Sequence, residues 1–179
     1  MLDKFIPKNF FYFLDLIRFN KPIGFLLLMW PCWFGLAYSN KSYNDLFYLY
    51  ILFFLGSFLM RSAGCIINDL IDIKIDSKIT RTYKRPLASK KINILNAIIF
   101  LFVLLLLSFA ILIQFSLLTI IIGLLTVPII VLYPLMKRIT YWPQLVLGIV
   151  FSWGVLITSF ELYGGIKLDY FLLYLACIF

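Results

Sequence analysis

Ile66–Leu87 reads IINDLIDIKIDSKITRTYKRPL, and here a long apolar run gives way abruptly to charge. One asparagine and three aspartates come first, then Lys78, Arg81, Lys84 and Arg85, with Lys74 between the acids. If the helix of the apolar run continues past the membrane surface, Asn68, Asp72 and Asp76 recur every four residues and share one face, with Asp69 beside it. Like charges at that spacing repel by about 0.2–0.5 kcal/mol per pair, so such a face needs open water or a cation. Hard oxygen donors with no sulfur or imidazole among them suit Mg²⁺, which keeps several waters and takes one or two carboxylates plus a substrate phosphate. The cations that follow suit phosphate oxygens. Carboxylates for a metal beside cations for phosphate describe a metal–diphosphate site. The competing reading is a solvated loop whose acidity is accidental. Against it stand the boundary position, where charges tend to be functional, and Arg61, two helical turns upstream inside the apolar run.

The rest of the chain explains why that boundary is a membrane surface. Of 179 residues, 64% are hydrophobic and only 13% are charged. A soluble domain carries about twice that share of charge, so lipid is the expected solvent. There is no histidine, which removes the commonest general base and a common zinc ligand. Cys32, Cys65 and Cys177 lie far apart in apolar segments and form no metal-binding spacing.

A spanning helix needs about 20 apolar residues. Pro22–Ser39, Leu46–Ile67, Ile92–Ile113, Phe115–Leu135 and Trp142–Phe160 meet that length or come close to it. Asp169 opens a sixth segment that rises about 16 Å by Phe179, against the roughly 30 Å of a bilayer core. The expected fold is an all-α membrane protein: a polytopic helical bundle of five full transmembrane helices plus a partial sixth. No repeat or linker divides it, so residues 1–179 read as one membrane domain. Within it, 1–21 forms a cytoplasmic interfacial segment whose Asn9–Lys21 part is an amphipathic helix. The first span is too long for a signal peptide, and no small-residue cleavage site follows.

Lys4, Lys8, Arg18 and Lys21 precede the first span. Seven cations from Lys74 to Lys91 separate the second from the third, and Lys137 and Arg138 follow the fourth. The remaining loops hold Lys41 and Lys167. The alternation places the N-terminus in the cytoplasm. It also accounts for much of the net charge of +8 without any nucleic-acid partner. A channel or transporter would need ionisable groups near mid-bilayer, and Arg61 is the single candidate.

Three stretches carry a resemblance to a known family: KPIGFLLLMWP (21–31), LMRSAGCIINDLIDIKIDSKITRTYKRPLAS (59–89) and YPLMKRITYWPQLVLGIVFSWG (133–154). The chain resembles the UbiA-type intramembrane aromatic prenyltransferases, within them the hydroxybenzoate branch, and the similarity runs along almost its whole length. The resemblance implies nine transmembrane helices around a cavity, with two aspartate-rich motifs facing each other at the cytoplasmic end. It implies Mg²⁺-dependent transfer of a polyprenyl group from polyprenyl diphosphate to 4-hydroxybenzoate, in ubiquinone biosynthesis. The membrane would be the bacterial inner membrane or its mitochondrial equivalent. Carried over by position, Asn68, Asp69, Asp72 and Asp76 hold the metal, with Asp72 and Asp76 catalytic. Arg81, Lys84, Arg85 and Lys137 bind the diphosphate. Arg138 and Arg61 are the candidates for the acceptor carboxylate.

One part of the pattern is missing. After Asp76 the only acids are Glu161 and Asp169, both in an expected periplasmic loop, so a second aspartate motif is absent. A helix stopping at Cys177-Ile178-Phe179 would leave unpaired carbonyls in hydrocarbon. The expectation is an N-terminal part of such an enzyme, with transfer impaired. The alternative is an inactive membrane remnant or one subunit of a split enzyme.

Overall fold

The computed structural model describes residues 8–139 and 141–178, of which 8, 9, 131–139 and 143 are described by their backbone alone. Seven helices account for nearly all of it: α1 (Lys8–Leu16), α2 (Ile23–Ala37), α3 (Tyr43–Asp76), α4 (Ile94–Leu112), α5 (Leu117–Ile139), α6 (Pro143–Tyr163) and α7 (Leu168–Ile178). There is no strand among the described residues. Each segment expected from the sequence to be helical overlaps one of these helices, and α3 runs nine residues beyond the expected end at Ile67. Among the described residues three helices are long and apolar enough to cross a bilayer: α3, α4 and α6 over Gln144–Tyr163. The other apolar helices, α2, α5 over Leu117–Ile130 and α7, are shorter.

α3 organises the molecule. It has 34 residues and no proline, and at 1.5 Å per residue it is about 51 Å long. That exceeds a bilayer core of about 30 Å. The apolar run ends at Ile67, so the last turns, Asn68–Asp76, extend beyond it as helix. The helix closes where the Ser77 amide donates back to Ile73.

α2 packs on α3 and α6, α4 on α3, and α5 and α7 on α6. Between α2 and α6 the approach depends on two missing side chains. A Cβ on Gly35 would strike Thr158, and one on Gly154 would strike Cys32, including its backbone nitrogen. Without water to drive apolar faces together, close backbone approach over small residues is a main source of helix adhesion in lipid. The Tyr170 hydroxyl fastens α7 to the same place by donating to the Gly35 carbonyl at 2.9 Å.

The buried side chains form two cores. One joins α2, α3, α6 and α7 through Leu36, Phe53, Val155 and Tyr170. The other joins α1, α3, α4 and the segment before α4 through Leu16, Ile66, Leu87 and Ala97. This second core fixes the ground on which the charged residues stand.

Candidate functional site

Asn68, Asp69, Asp72 and Asp76 follow one another along the exposed end of α3, and the helix leaves them at different depths. Asp69 and Asp76 are 2% and 5% exposed, whereas Asn68 and Asp72 are half-buried. Asp69 and Asp76 are seven residues apart, two turns of helix, so they stack on one side. Both meet Arg85, whose Nη1 donates to Asp76 Oδ2 at 2.6 Å and to Asp69 Oδ1 at 3.1 Å. One cationic atom thus reaches two carboxylates.

Arg85 is brought there by the turn-rich segment after α3. The Thr82 hydroxyl donates to the Asp76 carbonyl at 3.2 Å, and the Arg85 amide to the Thr82 carbonyl at 3.0 Å. The Ser89 hydroxyl donates to the Arg85 carbonyl at 2.8 Å, and buried Leu87 anchors the turn in the second core. Arg81 and Lys84 lie on the same segment with exposed side chains, and Lys84 Nζ stands 5.7 Å from the Tyr83 ring centroid.

Sequence reasoning missed one participant. Arg18, counted there only among the topological cations, donates from Nη2 to Asp69 Oδ1 at 2.8 Å. The two residues are 51 apart in the chain, so no local spacing signals the pair. The result is an alternating series, Arg18–Asp69–Arg85–Asp76, with the arginine side chains about a quarter exposed and the carboxylates nearly closed off.

Arg61 stands deeper on α3, seven residues and about 10 Å from Asn68. Three helices hold it. A Cβ on Gly24 of α2 would meet its guanidinium, and its Cζ lies 5.9 Å from the ring centroid of Phe151 on α6. It is half-buried. Lys137 and Arg138 lie on the last turns of α5, and their side chains fall outside the described residues.

Below Arg61 the bundle opens into an apolar cavity of about 400 Å³ among α2–α6. Met60, Ser57 and Gly56 line it from α3, Phe102 from α4 and Val127 from α5. Along α3 the order is therefore acidic pair, arginine, apolar chamber. The opposite end of the bundle holds Glu161, whose carboxylate accepts from the Ser116 amide at 2.9 Å, near the Tyr48–Gln114 side-chain contact. Glu161 is thus remote from Asp76.

No group of three or more acidic, His or Cys side chains is gathered for a metal among the described residues. The donor chemistry nevertheless suits a hard cation. Asn68, Asp72 and Asp76 follow one another at four-residue intervals along α3 and carry the oxygen donors that such a cation takes.

The model of the UbiA prenyltransferase family matches residues 28–179. A protein named mitochondrial 4-hydroxybenzoate polyprenyltransferase from Drosophila pseudoobscura pseudoobscura is 45% identical over 156 residues, covering 86% of this chain and 39% of that protein. Its namesake from Caenorhabditis elegans is 44% identical over 90% of this chain and 46% of its own length. The 4-hydroxybenzoate octaprenyltransferase of Blochmanniella pennsylvanica is 39% identical over 96% and 59%. The chain thus spans roughly a third to three fifths of the length of the curated relatives it matches. The solved apo structure of a UbiA homolog from Aeropyrum pernix K1 superposes with a TM-score of 0.62 at 22% identity, covering 97% of this chain and 60% of that one, a likeness of fold. The chain is an integral membrane protein of the UbiA prenyltransferase family.

Proposed function

We propose that residues 1–179 carry the diphosphate and acceptor elements of a 4-hydroxybenzoate polyprenyltransferase acting in ubiquinone biosynthesis. The observation that carries this reading is the order along α3: paired carboxylates with arginine, then Arg61, then an apolar chamber. A polyprenyl diphosphate has the same order, with a charged head and a long hydrocarbon tail.

Asn68, Asp72 and Asp76 hold Mg²⁺ in this reading, with Asp72 and Asp76 the catalytic carboxylates. Carried over by position, Asp69 also belongs to this set; we assign it instead to the two arginines, Arg18 and Arg85, that share its Oδ1. Mg²⁺ held by these residues would supply positive charge against that growing on the departing diphosphate. Arg81, Lys84, Arg85 and Lys137 gather the same oxygens, so the C–O bond breaks with its electron pair leaving on the diphosphate. The chamber keeps water from the allylic cation that results. The ring carbon beside the phenol hydroxyl of 4-hydroxybenzoate forms the new bond, and the ring then loses that carbon's proton. Arg61 and Arg138 hold the acceptor carboxylate and so orient the ring. The membrane is the bacterial inner membrane or its mitochondrial equivalent, with the acidic end and the interfacial segment 1–21 on the cytoplasmic side.

Glu161 lies at the far end of the bundle, so these residues contain a single acidic cluster at the reacting end among those described. We therefore assign these residues one of the two aspartate-rich motifs that the family resemblance implies, and expect impaired turnover from residues 1–179 alone. The test is Mg²⁺-dependent binding of geranyl diphosphate to the protein in nanodiscs. Binding should weaken at least about tenfold in Asp72→Ala and Asp76→Ala, the scale of one lost charged contact. Equal binding with and without Mg²⁺, or in both variants, would refute the reading.

A further inference from the structure

We propose that Arg18 is a positioning residue: as the resident counter-ion of buried Asp69, it frees Arg85 to turn from the carboxylates to a diphosphate. The proposal rests on the functional reading above and adds to it a residue outside the acidic and basic motifs.

The geometry sets a problem that Arg18 solves. Arg85 alone bridges two nearly buried carboxylates, Asp69 at 2% exposure and Asp76 at 5%. A buried carboxylate stripped of its cation is strongly unfavourable. Were Arg85 their only cation, an incoming diphosphate that draws it away would strand both. Asp76 faces the metal in the functional reading and regains a cation there. Asp69 does not, but its Oδ1 already accepts from Arg18 at 2.8 Å, the shorter of its two arginine contacts. With Arg18 in place, Arg85 can leave without orphaning Asp69.

The backbone is arranged to deliver that contact. Arg18 has φ +56°, a left-handed conformation that a non-glycine residue adopts only when its surroundings hold it there. The turn is held on both sides. The Arg18 amide donates to the Asp15 carbonyl at 3.1 Å, and the Lys21 amide donates to the Arg18 carbonyl at 2.8 Å. Leu16 is fully buried against α3 and α4, and Phe19 stands edge-on to Phe58 of α3 with centroids 6.2 Å apart. Chain reversal after α1 thus aims the guanidinium back at α3, and the cost of the strained residue goes into a single ion pair.

The test is a double-mutant cycle in nanodiscs, reading calorimetric affinity for inorganic pyrophosphate with Mg²⁺. Arg18→Gln should weaken binding about tenfold in the wild-type background, because Asp69 then retains Arg85. In the Asp69→Asn background the same substitution should change binding by less than about twofold. Arg18→Lys, which keeps the charge, should recover most of the loss. An equal loss in both backgrounds would mean that Arg18 touches the phosphate or merely supports the fold, and would overturn the proposal alone. No Mg²⁺-dependent pyrophosphate binding by the wild-type protein would overturn the functional reading and this proposal together.

Discussion

Arg85 sets one guanidinium nitrogen between two aspartates, 2.6 Å from Asp76 and 3.1 Å from Asp69. The segment Ser77–Ile92 contains no helix among the described elements, and its position over α3 depends on this contact together with buried Leu87 and the Thr82 bond. The ion pairs are therefore both chemistry and architecture.

Arg85→Met should accordingly destabilise the protein by about 3 kcal/mol, the lower end for breaking a buried pair, since the arginine is partly exposed. Arg85→Lys should cost less, because a charge remains and a single nitrogen makes both contacts. Unfolding in a graded mixed-detergent series measures both. An Arg85→Met protein as stable as wild type would show that the segment is held by Leu87 and Thr82 alone.

Gly24 leaves room for the Arg61 guanidinium. Gly24→Ala should push that head aside while leaving the acidic cluster untouched. The expected result is weaker 4-hydroxybenzoate binding, by about tenfold for a displaced charged contact, with Mg²⁺–pyrophosphate affinity unchanged. Titration of each ligand separately distinguishes this from general misfolding, which would lower both. Phe151→Leu should act in the same direction but more weakly, since a partly exposed cation–π contact contributes about 0.5–1 kcal/mol.

Gly154→Val tests the α2–α6 seam. Its side chain would meet Cys32 and the backbone of α2, so the helices must separate. A loss of about 1–3 kcal/mol is expected from overpacking, read as a lowered unfolding midpoint. Gly165, at the end beyond α6, has open space around it, and Gly165→Ala should leave the midpoint almost where it is.

Gly56→Phe would place a ring in the cavity, whose volume is about 400 Å³. The nearest neighbour of a Cβ there is Ile111 at 3.7 Å, so the first carbon fits and the ring takes the open space. Affinity for long polyprenyl diphosphates should fall relative to geranyl diphosphate, about fourfold for each methylene excluded, at roughly 0.8 kcal/mol per CH₂. Unchanged preference across chain lengths would place the tail elsewhere.

Much of this was legible before any coordinates. Helices α2 to α6 fall within two to four residues of most of the ends expected from apolar run length, because lipid forces backbone groups to pair within a segment. The shared face of Asn68, Asp72 and Asp76 was conditional on the second span continuing beyond Ile67, and the fold meets that condition by carrying α3 to Asp76. What spacing could not rank was the four oxygens against one another. Asn68, Asp69, Asp72 and Asp76 read as one ligand set. In the fold Asp69 and Asp76 are the buried pair, because the loop and α1 close over one side of α3 and not the other.

Sequence by itself determined that this chain is a helical membrane protein and that Asp69, Asp72 and Asp76 lie beside a run of cations where an apolar segment ends. Those conclusions depend on local properties: apolar run length, helical period and charge placement. Tertiary structure alone decided which charges face each other. Arg18 lies 51 residues from Asp69, and Gly24 makes room for Arg61 from a different helix. Such pairings are set by how helices pack and loops fold back, a property of the whole bundle that no local spacing encodes.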